Sequence, residues 1–164
     1  MCAVNRGKDF EGIVQDYVER LGDVYIQRIY DVQGGYMGVA NPCDFVAYKR
    51  PQFYMLECKS THENTLAIYS PNPKRPYGAI STTQWEGMLK GSQYGAVAGV
   101  LCWWIDKDVT KFLPIHDLAI YRELGHKSIR YDYDLPNSLI IKGQKKRVYF
   151  DYDFSEFFSK YQGC

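Results

Sequence analysis

The sequence has no Cys-x-x-Cys pair, and its five cysteines, at 2, 43, 58, 102 and 164, are odd in number. Neither a zinc knuckle nor a disulfide framework is supported, and reduced, mostly buried thiols are the expectation. Long apolar runs are missing as well. The longest, Ala96 to Ile105, has the length of a buried strand and not of a membrane span. Met1 to Arg6 lacks the apolar stretch of a signal peptide, so a cytoplasmic protein that makes no use of a membrane is expected. No sign of charge dominates: 20 Lys+Arg stand against 19 Asp+Glu, a net +1. Proteins that coat nucleic acid are usually far more basic. Any basic field must therefore be local, which leaves room for an acidic pocket elsewhere. Repeats, low-complexity tracts and linkers are also absent.

What remains is globular. Hydrophobic residues make up 46% and charged residues 24% of 164 residues, which fits a single domain spanning 1–164 with its own core. The 15 Tyr, 8 Phe and 3 Trp suit a core, a dimer interface or a base-stacking platform, and composition does not choose among them.

Phe10, Ile13, Val14, Tyr17, Val18 and Leu21 follow helical spacing, which predicts an amphipathic helix with Asn5 as N-cap and Gly22 as stop. Val24 to Tyr30 reads as a strand and the glycine-rich Asp31 to Asn41 as a loop. Asp44 to Lys49 and Phe53 to Lys59 read as strands joined through Arg50-Pro51-Gln52. Ser60 to Ala79 reads as a long polar loop, Ser81 to Gln93 as a helix, and Ala96 to Ile105 with Val109 to Leu113 as a hairpin. A third helix is predicted over Asp117 to Leu124, then a hairpin turning at Lys142-Gly143-Gln144 and a helix from Ser155. The order α-β-β-β-α-β-β-α predicts an α/β fold with a mixed central sheet.

The chemistry is concentrated in Asp44 and Glu57-Cys58-Lys59. Residues two apart on a strand share a face, so Glu57 and Lys59 point together. A turn centred between Arg50 and Pro51 sets Asp44 opposite Glu57. Shifting Pro51 to the first turn position sets it opposite Lys59, and both registers keep Asp44 on the shared face. Two neighbouring carboxylates repel unless a proton or a cation intervenes. Oxygen ligands suit magnesium, which keeps waters and takes substrate phosphate as a further ligand. Such an ion polarises a phosphate and acidifies bound water. Lys59 can then orient or deprotonate the attacking water, or stabilise charge at phosphorus. The Cys58 carbonyl is a candidate third ligand. A solvated strand face carrying a Glu–Lys ion pair has the same bare spacing.

Asn5-Arg6-Gly7-Lys8-Asp9-Phe10-Glu11 resembles the N-terminal signature of the RecU-type Holliday junction resolvases of Gram-positive bacteria and their phages, members of the PD-(D/E)xK nuclease superfamily. Cys43-Asp44-Phe45 and Leu56-Glu57-Cys58-Lys59-Ser60-Thr61 are similar to that family's catalytic core. Thr83-Gln84 falls where the family carries a helix-borne glutamine, and His126-Lys127-Ser128-Ile129 resembles a segment near its end. The resemblance implies a restriction-endonuclease-like core and a homodimer that makes paired cuts in four-way junctions with Mg2+, for which Mn2+ can substitute. It implies Asp44 and Glu57 as metal ligands, Lys59 as the catalytic lysine, Glu11 reaching the metal site from the first helix, and Gln84 positioning water or phosphate. The chain departs from the family in three places. Only Asp31 to Cys43 stands where the family has a long protruding stalk, Thr83 replaces its usual histidine, and a proline-rich loop has grown between Thr61 and Ile80. A branch-processing or restriction-like endonuclease is therefore an alternative, and a non-catalytic DNA-binding recombination accessory protein is a second.

Other assignments carry two readings. Ser81-Thr82-Thr83-Gln84 is also a capping box, so Gln84 is as much a cap as a catalytic residue. Arg6, Lys8, Lys74, Arg75 and Lys127 are candidate DNA contacts, and unpaired surface cations look the same in sequence. Lys142, Lys145, Lys146 and Arg147 suit a charged hairpin edge.

Overall fold

Phe10, Val14 and Val18 stand in line on helix α1 (Arg6–Glu19), four residues apart and buried. That stripe docks the helix on a sheet, which is the arrangement that α1's periodicity predicts. The computed structural model describes residues 6–30, 41–70, 72, 74, 78–145 and 150–162. The proposed N-cap Asn5, the segment Asp31 to Ala40, and Arg75, Lys146 and Arg147 lie outside the described residues, as do the side chains of Arg6, Lys8 and Lys145.

After α1 come β1 (Tyr25–Arg28), β2 (Phe45–Lys49), β3 (Gln52–Thr61), β4 (Thr65–Ala67) and α2 (Thr82–Gln93). β5 (Val97–Trp104), a 3-10 turn (Ile105–Lys107), β6 (Val109–Pro114) and α3 (Ile115–Glu123) follow. The chain ends with β7 (Ser128–Arg130), β8 (Leu139–Ile140), β9 (Lys142–Lys145), β10 (Phe150–Asp153) and α4 (Ser155–Lys160). Six strands form the central sheet in the order β1-β2-β3-β5-β6-β8. β3 and β5 run parallel and every other pair in it is antiparallel, so the sheet is mixed as the element order predicts.

Both faces of the sheet are covered. On one, α1 and α4 pack Phe10, Val14, Phe157 and Phe158 against Phe45, Tyr54, Leu56, Leu101 and Trp103. On the other, α2 and α3 pack Trp85, Met88, Ile115 and Leu118 against Val100, Cys102, Trp104 and Leu113. This two-sided burial is why β5 reads as a continuous apolar run, with Trp103 feeding one core and Trp104 the other. Each such side chain contributes about 1.5–3 kcal/mol. Phe10→Ala, which empties a fully enclosed site, is the kind of change that costs about 3–5 kcal/mol. Among the described residues no helix is long and apolar enough to cross a membrane.

Two expectations fail. The segment Ser60 to Ala79 is not all loop: β3 runs on to Thr61, and β4 pairs with β7, Leu66 opposite Ile129. The alternation Thr65-Leu66-Ala67-Ile68 buries Leu66 and Ile68 in the α2/α3 core, and a polar-loop reading overlooks so short a pattern. Lys142-Gly143-Gln144 is not the turn of the last hairpin. These residues belong to β9, which pairs with β10, Gly143 opposite Tyr152. Glycine marked a strand residue here, not a bend.

Candidate active site

The β2–β3 hairpin sets the geometry. Its register runs from Lys49↔Gln52 to Phe45↔Leu56, centred between Arg50 and Pro51, which is the first of the two registers open to the sequence. One step further, Asp44 falls level with Glu57, and there the ladder changes. The Asp44 N–H donates to Leu56 O at 3.1 Å, and Asp44 O accepts from Ile29 N at 2.8 Å. Its carboxylate oxygen Oδ2 accepts the Cys58 N–H at 2.7 Å. A side-chain oxygen thus takes a main-chain donor of β3. This holds the half-buried carboxylate beside Glu57 and away from the hydrophobic interior.

Along β3, Leu56 and Cys58 face the α1/α4 core, so Glu57 and Lys59 face the α2 side. α2 covers Glu57, which is only 1% exposed. Its Oε1 accepts from Lys59 Nζ and from Gln84 Nε2, both at 2.6 Å. Its Oε2 is buried and has no hydrogen-bond partner. Burial raises the Glu57 pKa to about 7, with the Asp44 and Glu11 charges adding to the rise and Lys59 opposing it. A buried carboxylate with one oxygen unsatisfied is costly by itself. It needs a proton or a cation at that atom.

Gln84 reaches Glu57 from the first turn of α2, and it is a cap too. Ser81 Oγ accepts from Gln84 N at 3.3 Å, and Gln84 Oε1 accepts from Ser81 N at 2.9 Å. The two readings of this glutamine coexist. α2 comes close because Gly87 leaves room: a Cβ there would lie 2.4 Å from Pro42, two residues before Asp44.

Glu11 has a partner that the sequence did not reveal. Arg28, at the end of β1, forms an ion pair with it. Burial raises the Glu11 pKa, Asp44 raises it further, and Arg28 and Lys59 pull it back. The site therefore gathers three carboxylates (Glu11, Asp44, Glu57) and two cations (Arg28, Lys59). The signal for Arg28 was its parity: on β1 it shares the α1-facing side with Ile26, and with Val24 just before the strand, where a charge needs a partner. The described thiols, Cys43, Cys58 and Cys102, are all buried. Burial, with the neighbouring Glu57 and Asp44 charges, pushes Cys43 up to about 12, and burial with the same carboxylates raises Cys58 well above its ordinary range. Of the candidate DNA contacts, Lys74 and Lys127 are exposed and are not among the partners of Asp44, Glu57 or Lys59. The other three, Arg6, Lys8 and Arg75, lie outside the described side chains.

Among the described residues, no group of three or more His, Cys, Asp or Glu side chains is placed to hold a metal ion. The set read from sequence, Asp44 and Glu57 with the Cys58 carbonyl, has only two such side chains. The donor chemistry nonetheless fits a hard cation. Glu57 Oε2 is an orphaned carboxylate oxygen, Asp44 is held beside it, and magnesium takes few protein ligands and completes its shell with water and phosphate.

No family model matches the sequence, and no curated protein matches it. Among solved structures, the chain is similar to Hjc of Archaeoglobus fulgidus, a Holliday junction resolvase from an archaeal hyperthermophile. The TM-score is 0.42 and the identity 18%, over 65% of this chain and 77% of that one.

Proposed function

We propose that this chain is a metal-dependent endodeoxyribonuclease of the PD-(D/E)xK type that resolves four-way DNA junctions, acting as a homodimer with Mg2+. One observation carries the nuclease reading. Glu57 is enclosed, its Oε1 is saturated by Lys59 and Gln84, its Oε2 is left without a partner, and a second carboxylate, Asp44, is pinned alongside. An ordinary surface ion pair has no reason to be buried on one side of a carboxylate and empty on the other. The choice of junctions as substrate comes from the RecU-like motif set.

Asp44, Glu57 and the Cys58 carbonyl would hold the ion, which when bound supplies Lewis-acid polarisation of a phosphate and a water of lowered pKa. The protein's own groups do the rest. Lys59 is ion-paired at 2.6 Å, hence a donor and a cation, which favours stabilising charge at phosphorus over taking a proton. Counting formal charges, Glu11, Asp44 and Glu57 against Arg28 and Lys59 leave the site at about −1. A divalent cation turns that to about +1, matched to a phosphodiester anion. Arg6, Lys8, Lys74, Arg75 and Lys127 are assigned to the duplex arms.

The test is a cleavage panel of four-way junctions, flaps, forks, nicked and linear duplex, with Mg2+, Mn2+ or chelator. Paired symmetric cuts in the four-way junction, lost with chelator, are expected. Equal cutting of linear duplex would select the branch-processing or restriction-like reading, which the short span between β1 and β2 favours. No cutting of any DNA with either metal would leave a DNA-binding accessory protein.

A further inference from the structure

A side-chain amide has an acceptor end and a donor end of nearly the same shape, so its orientation is decided by its neighbours. For Gln84 the decision is made on the helix. Its Oε1 is taken by the Ser81 main-chain N–H at 2.9 Å, and the end that remains, Nε2, donates to Glu57 Oε1 at 2.6 Å. Turned over, the amide would set oxygen against a carboxylate and NH2 against an N–H, and both contacts would be repulsive. The cap and the carboxylate therefore share one residue, and each fixes the other.

We infer that Gln84 is a positioning residue for Glu57, aimed by the N-terminal cap of α2, and that it touches neither metal nor phosphate; this rests on the metal-nuclease reading above. Lys59 and Gln84 converge on the same oxygen, so the pair determines which oxygen is left over. That atom is the buried, unpartnered Oε2. α2 is anchored one turn further on, where Gly87 lies against Pro42, so the start of the helix is held to the segment that carries Asp44. The helix thus works as a jig: its first turn, and not a loop, sets the rotamer of the deeper carboxylate.

The experiment compares Gln84→Met with Ser81→Ala in the full chain. Mn2+ binding is measured by calorimetry without DNA, junction cleavage is resolved into kcat and KM, and thermal unfolding is followed alongside. Ser81→Ala removes the hydroxyl cap but leaves the main-chain N–H and the Gln84–Glu57 contact. It is expected to lose a few degrees of Tm and to keep Mn2+ affinity within about threefold. Gln84→Met loses the donor to a charged group, and Mn2+ affinity is expected to fall about tenfold, with kcat lowered and KM for the junction unchanged. Gln84→Glu retains the acceptor for Ser81 N–H while replacing the donor with oxygen, and its kcat is expected to fall in the same way. The inference is overturned if Gln84→Met binds Mn2+ as wild type does, or if Ser81→Ala loses as much affinity. It is also overturned if either Gln84 variant raises KM at constant kcat, the mark of a direct phosphate contact. Wild-type protein that neither binds Mn2+ nor cuts DNA would remove the nuclease reading itself, and the inference with it.

Discussion

Two charged side chains are buried in the same sheet, and they are treated in opposite ways. Lys111 on β6 is 3% exposed and has two partners: its Nζ donates to Asp134 Oδ1 at 2.6 Å and to Tyr133 O at 3.2 Å. Glu57 on β3 is 1% exposed, and only one of its oxygens is engaged. Asp117 sides with Lys111, since its two oxygens accept the main-chain N–H and the side-chain amide of Asn137 at 2.7 and 3.0 Å. The fold can therefore satisfy a buried charge, and does so twice within the same α2/α3 half. Leaving Glu57 half-satisfied is then a property of that position, not a general looseness of packing. The other buried unpartnered atoms among the described residues are the Nε1 groups of Trp103 and Trp104, which are neutral and cost far less than a carboxylate. The contrast separates buried charges that the fold supplies with partners from one left with an oxygen unpartnered.

The sharpest way to break this comparison is to remove the chemistry and watch the fold survive. Lys59→Ala and Asp44→Asn are expected to lower junction cleavage by about a thousandfold or more while junction binding is retained, as read by gel shift in Ca2+. Lys111→Met is the control and should leave cleavage untouched. If it fell as far as Lys59→Ala, the two lysines would not differ in kind.

A smaller effect follows from the pKa of Glu57. Unfolded, the group titrates near its ordinary 4.5; folded, near 7. Between those values the folded protein keeps a proton that the unfolded chain has released. The stabilisation is therefore complete below 4.5 and lost as pH rises through 7. Over that window it amounts to about 3 kcal/mol at most. Urea unfolding in chelator at pH 5 and pH 8 should show the decline, and Glu57→Gln should flatten it. Mg2+ at pH 8 should restore stability to wild type but not to Asp44→Asn. A wild-type profile as flat as that of Glu57→Gln would mean that the unpartnered oxygen carries no penalty.

Much of this was legible because it is local. The period of two on β3 and the turn at Arg50-Pro51 brought Asp44, Glu57 and Lys59 to one place, and helical spacing built α1. The capping box at Ser81 was also readable, but not that its glutamine spans from helix to strand, because that needs the docking of α2. Long-range pairings were invisible for the same reason. Arg28 meets Glu11 only because α1 lies across β1, and β4 finds β7 some sixty residues away. The burial of Glu57 was misleading in a useful way. A face bearing Glu and Lys reads as solvated, and only the helix laid over it turns an ordinary ion pair into a carboxylate short of a partner.

The smallest expected effects sharpen the structural half of the comparison. Asp134 is 71% exposed, so water screens its contribution, but its removal leaves the Lys111 ammonium buried with only the Tyr133 carbonyl. Asp134→Ala should cost about 1–3 kcal/mol in urea unfolding, less than the 3–5 typical of breaking a fully enclosed pair. Lys111→Met removes the buried charge itself and returns Asp134 to solvent, so stability should change by about 1 kcal/mol or less in either direction. The order matters more than the sizes. Losing the exposed partner should hurt more than losing the buried charge, because the first strands an ion and the second does not. At Glu57 the order should reverse for function: Glu57→Gln can leave the fold intact or firmer at pH 8, yet it should abolish cleavage. A molecule in which both positions followed the same order would have no need of a cation at Glu57.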